Sequence, residues 1–205
     1  MPIYSFGEIR PVVDPSAYVH PTAVLIGDVI IGPNVYVGPC ACLRGDMGRI
    51  VVGAGSNIQD CVVAHGFPGT DTTIEEDGHI GHAAVLHGCF IARNAMIGMA
   101  AVIMDYAQIG ESAIIGASSF VATRQVIPPR TLALGVPAKV KRELSADELQ
   151  WKVGSTAAYR RLGEQSRTLV QPCEPLAAVE PERKRVAQAP AIPLALLKER
   201  SAGTP

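Results

Sequence analysis

The segment HIGHAAVLHGC, residues 79 to 89, places His79, His82 and His87 in an otherwise apolar run, and a fourth histidine, His65, stands a little upstream. Imidazole binds divalent metals as a neutral base and exchanges a proton near neutral pH, so histidines brought together by a fold suggest metal or acid–base chemistry. Whether these four converge depends on the elements that carry them.

Those elements repeat every six residues. Aliphatic side chains recur from Val13 through Val19, Leu25, Ile31 and Val37 to Leu43, and again from Ile91 through Ile97, Ile103, Ile109, Ile115 and Val121 to Ile127. Four positions after most of them comes a small residue, as at Ala95, Ala101, Ala107 and Ala113, and glycine often follows the aliphatic directly, as at Gly98, Gly110 and Gly116. Neither helical nor strand periodicity gives a period of six. It predicts short parallel strands alternating with turns in a solenoid, the aliphatic pointing inward and the small residue at a tight corner. Composition agrees: 48% hydrophobic but only 5% aromatic residues, with 20 Gly and 16 Pro, suits thin stacked layers. Between Leu43 and Ile91 the phase slips, with a four-residue insertion after Gly66, and insertions in a solenoid bulge from one face.

Counting hexads then places the histidines. His65 follows Ala64 by one and His87 follows Leu86 by one, one coil apart once the insertion is allowed for. The two rings should stand one above the other, about 4.8 Å apart as neighbouring parallel strands are, and can converge on one ion. His82, two after Ile80, occupies a different slot and cannot easily reach that ion within its own chain. In a threefold assembly its corner can meet the neighbour's His65 and His87, completing three nitrogen ligands with one position open. A lone outward histidine on a solenoid is ordinarily solvated surface; His20 is taken as such, whereas His79 has a supporting or proton-transfer role open to it. The count also puts Arg44 one coil beneath His65, Gln59 outward beside the metal column, and Asp60 where it could meet Arg44 across an interface. Ordinary surface charge is the rival reading of that pair.

Taken together, RGD at 44 to 46, NIQD at 57 to 60, His65 and IGHAAVLHG at 80 to 88 resemble the γ-class carbonic anhydrases and their relatives, hexapeptide-repeat proteins with a left-handed parallel β-helix and a C-terminal helix. The resemblance covers about residues 10 to 160. It implies a homotrimer in which His65, His82 and His87 bind zinc, with iron or cobalt as other fits, at subunit interfaces. Arg44 and Asp60 resemble that family's intersubunit ion pair, Asp46 the carboxylate near it, and Asn57 with Gln59 the polar pair that orients nucleophile and substrate. PTAVLIGDVIIG, GRIVVGAGSNIQD, EEDGHIGH and ELSADELQWK are similar to the PaaY and CaiE group of that superfamily, nearer to PaaY through MPIY and EPERKR. That likeness implies hydrolysis of hydroxylated acyl-CoA thioesters in phenylacetate degradation. One departure is Met47, where the anhydrases carry a glutamate credited with proton export; Asp71, Glu75 or Glu76 could stand in.

A three-imidazole cation brings the pKa of bound water toward 7, so thioester hydrolysis is the expected reaction. Carbon dioxide hydration is the alternative, and an acyltransferase or a non-catalytic trimeric accessory protein are further ones. The net charge of −1 gives no case for nucleic acid or an acidic membrane, and no stretch reaches the roughly 18 apolar residues of a membrane span. The N-terminal segment lacks the pattern of a secretory signal, so the expected setting is cytoplasmic with a small-molecule substrate. Five scattered cysteines without CxxC spacing argue against a disulfide framework, and most are expected to be small buried fillers. The expected organisation is a β-helix over 10–143, one or two helices over 144–170 opened by a capping box at Ser145 and Glu148, and a proline-rich, charged, poorly ordered tail over 171–205.

Overall fold

In the computed structural model, which describes residues 2–187 and 192–194, the hexads wind into a left-handed parallel β-helix. Three ladders of short parallel strands form the sides of a prism. The first climbs through the start of Cys42–Val52 to Val63–His65, Val85–His87, Val102–Ile103 and Phe120–Val121. The second runs from the end of Cys42–Val52 through Thr72–Ile74, Phe90–Ile91 and Gln108–Ile109 to Val126–Ile127. The third joins Tyr18–Val19, Tyr36–Val37, Asn57–Ile58, His79–Ile80, Met96–Ile97 and Ile114–Ile115 to Thr131–Leu134.

The six-residue period becomes this shape because each inward aliphatic stacks on its equivalent one coil away. Leu25, Leu43, Ala64, Leu86, Ile103 and Val121 form one such row, every one of them fully buried. Each buried Leu, Ile or Val is worth about 1.5–3 kcal/mol, so the rows carry most of the fold's stability. The small residues do not sit at the corner itself. Ala95, Ala101, Ala107 and Ala113 point inward and are fully buried. The corner belongs to the residue just before each of them, Asn94, Ala100, Tyr106 and Ser112, all left-handed with φ between 56° and 60°. An L-residue resists that conformation. The corner is held by its amide, which donates to the coil below, as from Ala100 to the His82 carbonyl at 2.8 Å.

The cysteine expectation is corrected: only Cys89 is buried, all five are free thiols, and Cys40 and Cys61 occupy exposed left-handed corners. The last coil also departs from the repeat, since Thr131–Leu134 pairs antiparallel with Lys139–Glu143 and caps the solenoid's open edge.

One continuous helix, Ala146–Leu169, follows, with Gly154 inside it. Its N-terminus carries the full capping box: the Ser145 hydroxyl accepts from the Glu148 amide, and the Glu148 carboxylate accepts from the Ser145 amide. The helix runs back down the third side. Lys152 Nζ donates to the Asp77 carbonyl at 2.6 Å and to Asn94 Oδ1 at 2.7 Å, while Gly163 lies over Tyr18 and Tyr36. Residues 171–187 carry no helix or strand and are exposed throughout. The tail expectation for 188–191 and 195–205 lies outside the described residues. No described helix is long and apolar enough to cross a membrane.

Candidate metal centre

His65 and His87 are direct cross-strand partners on the first side, as the hexad count requires. His65 Nδ1 and His87 Nε2 face each other at 3.3 Å. The other nitrogen of each ring is bound to a carboxylate: His65 Nε2 to Asp46 Oδ1 at 3.0 Å, and His87 Nδ1 to Asp105 Oδ1 at 2.6 Å. With both N–H groups given to carboxylates, the facing nitrogens present lone pairs to one another, an arrangement that a shared proton or a cation between them relieves. Two nitrogens bound 2.0–2.1 Å from a tetrahedral zinc are themselves about 3.3 Å apart, so the pair already stands at ligand spacing.

His82 repeats the pattern at the corner joining the third and first sides. Its Nδ1 lies 2.9 Å from Asp60 Oδ2, and its Nε2 is 3.3 Å from the Tyr159 hydroxyl. All three predicted ligands are thus held by a carboxylate on one nitrogen, which fixes ring orientation. His20 instead bonds Thr22, and His79 bonds only neutral side chains. The donor set fits a divalent cation, but one chain supplies only two converging imidazoles. Among the described residues no three His, Cys, Asp or Glu side chains of a single chain gather as ligands.

Arg44 stands one row beneath His65 and donates from one terminal nitrogen to both Asp46 oxygens, at 3.0 and 2.8 Å. Burial alone would raise the Asp46 carboxyl, but the hydrogen bonds from Arg44 and His65 outweigh it and hold the pKa below the usual carboxylate range. Within the chain, then, Arg44 pairs with Asp46 and Asp60 with His82, and the Arg44–Asp60 contact expected between subunits is not made inside one chain. Gly45, between Arg44 and Asp46, is required because a Cβ there would run into the backbone of Asp28 on the coil below.

Gln59 projects outward from its coil as its count suggested, but on the third side, where the helix covers it, and not beside His65 and His87. It is buried with Asn57 beneath the helix, on the third side. Its amide nitrogen donates to Asn57 Oδ1 at 2.9 Å and to His79 Nε2 at 2.8 Å, while its oxygen accepts the His82 amide at 3.2 Å. His79 Nδ1 faces the Thr156 hydroxyl on the helix at 3.3 Å. Burial, with the charges of Lys152 and His82, pushes the His79 pKa down to about 3, so this imidazole is neutral and fixes the Gln59 amide. Counting missed the helix over this side, whose packing turns a nominally outward position into a buried one.

Asp105, Tyr159 and Thr156 were not legible as site residues. Asp105 lies 18 residues beyond His87, a full coil, but the shortened hexad before Ile91 shifts it one slot past the histidine row. Met47 is exposed and shares a cleft with Asp46 and Asp71, whereas Glu75 and Glu76 line a different cleft with Arg93 and Glu111. Of the carboxylates that could replace the missing glutamate, only Asp71 is therefore placed beside the centre.

Residues 10–45 match the model of the bacterial transferase hexapeptide family, six repeats. Over 186 residues the chain is 50% identical to the carnitine operon protein CaiE of Salmonella agona, covering 91% of this chain and 94% of that one, and 51% identical to CaiE of Citrobacter koseri over the same length. Among solved structures, a candidate acetyltransferase of Bacillus cereus superposes with a TM-score of 0.81 at 36% identity, covering 82% of this chain and 98% of that one. A hexapeptide transferase family protein of Anaplasma phagocytophilum gives 0.77 at 34%, over 80% and 96%. With half its residues shared along nearly the whole of both chains, this protein belongs to the CaiE family of hexapeptide-repeat proteins.

Proposed function

We propose that this chain is a metal-dependent hydrolase of acyl-CoA thioesters, working as a homotrimer whose centres each take His65 and His87 from one copy and His82 from the next. The observation that carries this reading is the set of three histidine–carboxylate pairs, which singles out the same three imidazoles as the repeat count and leaves out His20 and His79. A second copy is favoured by the first side of the prism. Val24, Cys42, Val63, Val85, Val102 and Phe120 stack there in register on the outer face, an apolar stripe beside the His65–His87 pair. Such stripes on a soluble protein mark association surfaces.

A cation held by three imidazoles activates water near neutral pH and polarises a carbonyl. The chain's own residues do the positioning: Asp46, Asp60 and Asp105 fix the rings, Arg44 fixes Asp46, and Tyr159 sits against the His82 nitrogen that would face the ion. In the reaction the oxygen of water bonds to the acyl carbon and the C–S bond breaks; of water's two protons one goes to the departing thiolate and the other to solvent, leaving the acyl group as a carboxylate. A thiolate departs readily, so no strong general acid is needed. The PaaY-like segments favour a hydroxylated phenylacetyl group, in a cytoplasmic setting, and the CaiE relatives make a carnitine-related acyl group the second to test.

The same centre could hydrate carbon dioxide, but Met47 offers no carboxylate to export a proton. Acyl transfer is favoured by the Bacillus cereus neighbour and would not need the metal. Protein purified without chelator is assayed for metal content, for hydrolysis across an acyl-CoA panel and for carbon dioxide hydration, before and after chelation. We expect about one ion per chain and thioesterase activity that chelation removes and zinc restores. Fast hydration without hydrolysis, or acyl transfer indifferent to chelator, overturns this reading. An inactive protein whose only loss in His87→Ala is its trimer makes it an accessory subunit instead.

A further inference from the structure

Beside the buried Gln59–His79 network the helix stands off the third side and leaves a cavity of about 660 Å³. Its floor is the outward row that continues from His79 through Met96 and Ile114 to Leu132. Its roof is one face of the helix, Trp151, Ser155 and Tyr159. Three rows at about 4.8 Å each give a trough roughly 14 Å long. One end opens at Gln59 and His82, the edge of the candidate centre. Leu194, from the segment 192–194, also lines the cavity and packs against the cluster of Met96, Ile114 and Leu144; that segment is held where Trp151 Nε1 donates to the Ile192 carbonyl at 2.6 Å.

The walls are almost wholly apolar, and the charged pair among them is already satisfied, Arg142 donating to both Glu148 oxygens at 2.7 Å. A volume of this size lies in the range of small-molecule sites. Gln59, His79, His82 and Tyr159 stand toward one end, while Arg142 and Glu148, beside Leu132, neutralise one another, so it suits a ligand with an apolar body and one polar, reacting end.

We infer that this trough binds the apolar acyl group of the substrate, with the carbonyl at the His82 end and Leu194 in the apolar wall. The identity of the ligand rests on the thioester reading above; the trough itself does not. Met96 and Leu194 are specificity residues here and take no part in bond breaking.

The test is calorimetric binding of non-hydrolysable thioether analogues of octanoyl-CoA and acetyl-CoA to the full-length metal-loaded protein. The octanoyl analogue should bind at least about ten-fold more tightly, since its added methylenes leave water. Met96→Trp, which fills the trough, and Leu194→Glu, which puts a charge in its apolar wall, should each erase that preference while oligomer size and helix content are kept; if one does not fold, the other decides. Equal binding of the two analogues, or variants that keep the preference, overturns the inference. A chain-length preference in protein that hydrolyses no thioester sinks the hydrolase reading and leaves the trough standing. Hydrolysis without such a preference does the reverse.

Discussion

Asp105 shows how much of an imidazole's orientation is set by the group behind it. At 2.6 Å from His87 Nδ1 it takes that N–H and turns the other nitrogen toward His65. Asp105→Asn keeps the size and removes the charge, and it should weaken metal affinity about 10–100-fold with the fold intact, measured by competition with a chromogenic chelator. His79 makes a different prediction. Its pKa falls to about 3 in the folded protein against about 6.5 for an unfolded chain, so the unfolded state takes up a proton that the folded state refuses. Its contribution to stability is complete above about 6.5 and is lost as pH falls from there toward 3, at about 1.4 kcal/mol per pH unit at most. Urea denaturation at pH 7 and pH 5 should show this loss in the wild type and a smaller one in His79→Gln.

The helix is the element whose effect exceeds its own sequence. The capping box fixes where it starts, and its return path decides which sheet face is covered. Lys152 is driven through that contact: burial lowers its pKa to about 7, with the Arg160 charge assisting and Asp77 opposing. Gly154 contributes little to this contact, since a Cβ there would meet open space. Gly154→Ala should therefore stabilise the protein by about 1 kcal/mol, the helix propensity difference, seen as a higher urea midpoint with an unchanged slope. Hexad counting put His65, His87 and Arg44 in one row, where the helix does not reach, and it did not foresee the burial of Gln59, because the helix covers the third side.

For the whole molecule the decisive feature of the proposed centre is that one chain brings only two imidazoles, His65 and His87, together, so that a third would have to come from a second copy. The apolar stripe through Val63 and Val85 lies on the prism side that ends at His65 and His87. Association and metal binding should accordingly fail together. Val63→Glu puts a charge in the middle of the stripe, where it does not disturb the buried rows. It should give a monomer by analytical ultracentrifugation and lower the bound metal to well under one ion per chain. A trimer with full metal content would refute the assembly.

The sequence by itself determined the solenoid, because a six-residue period leaves an aliphatic no place but the stacked interior, and it determined which histidines share a column, because column membership is arithmetic once the period is known. It also announced the helix start through Ser145 and Glu148. Only the tertiary structure decided that Asp46, Asp60 and Asp105 back the three imidazoles, that Asn57, Gln59 and His79 are buried beneath the helix, and that an apolar trough leads away from His82. Those facts depend on side-chain direction at corners and on where a separate element docks. Neither is periodic, so neither can be counted.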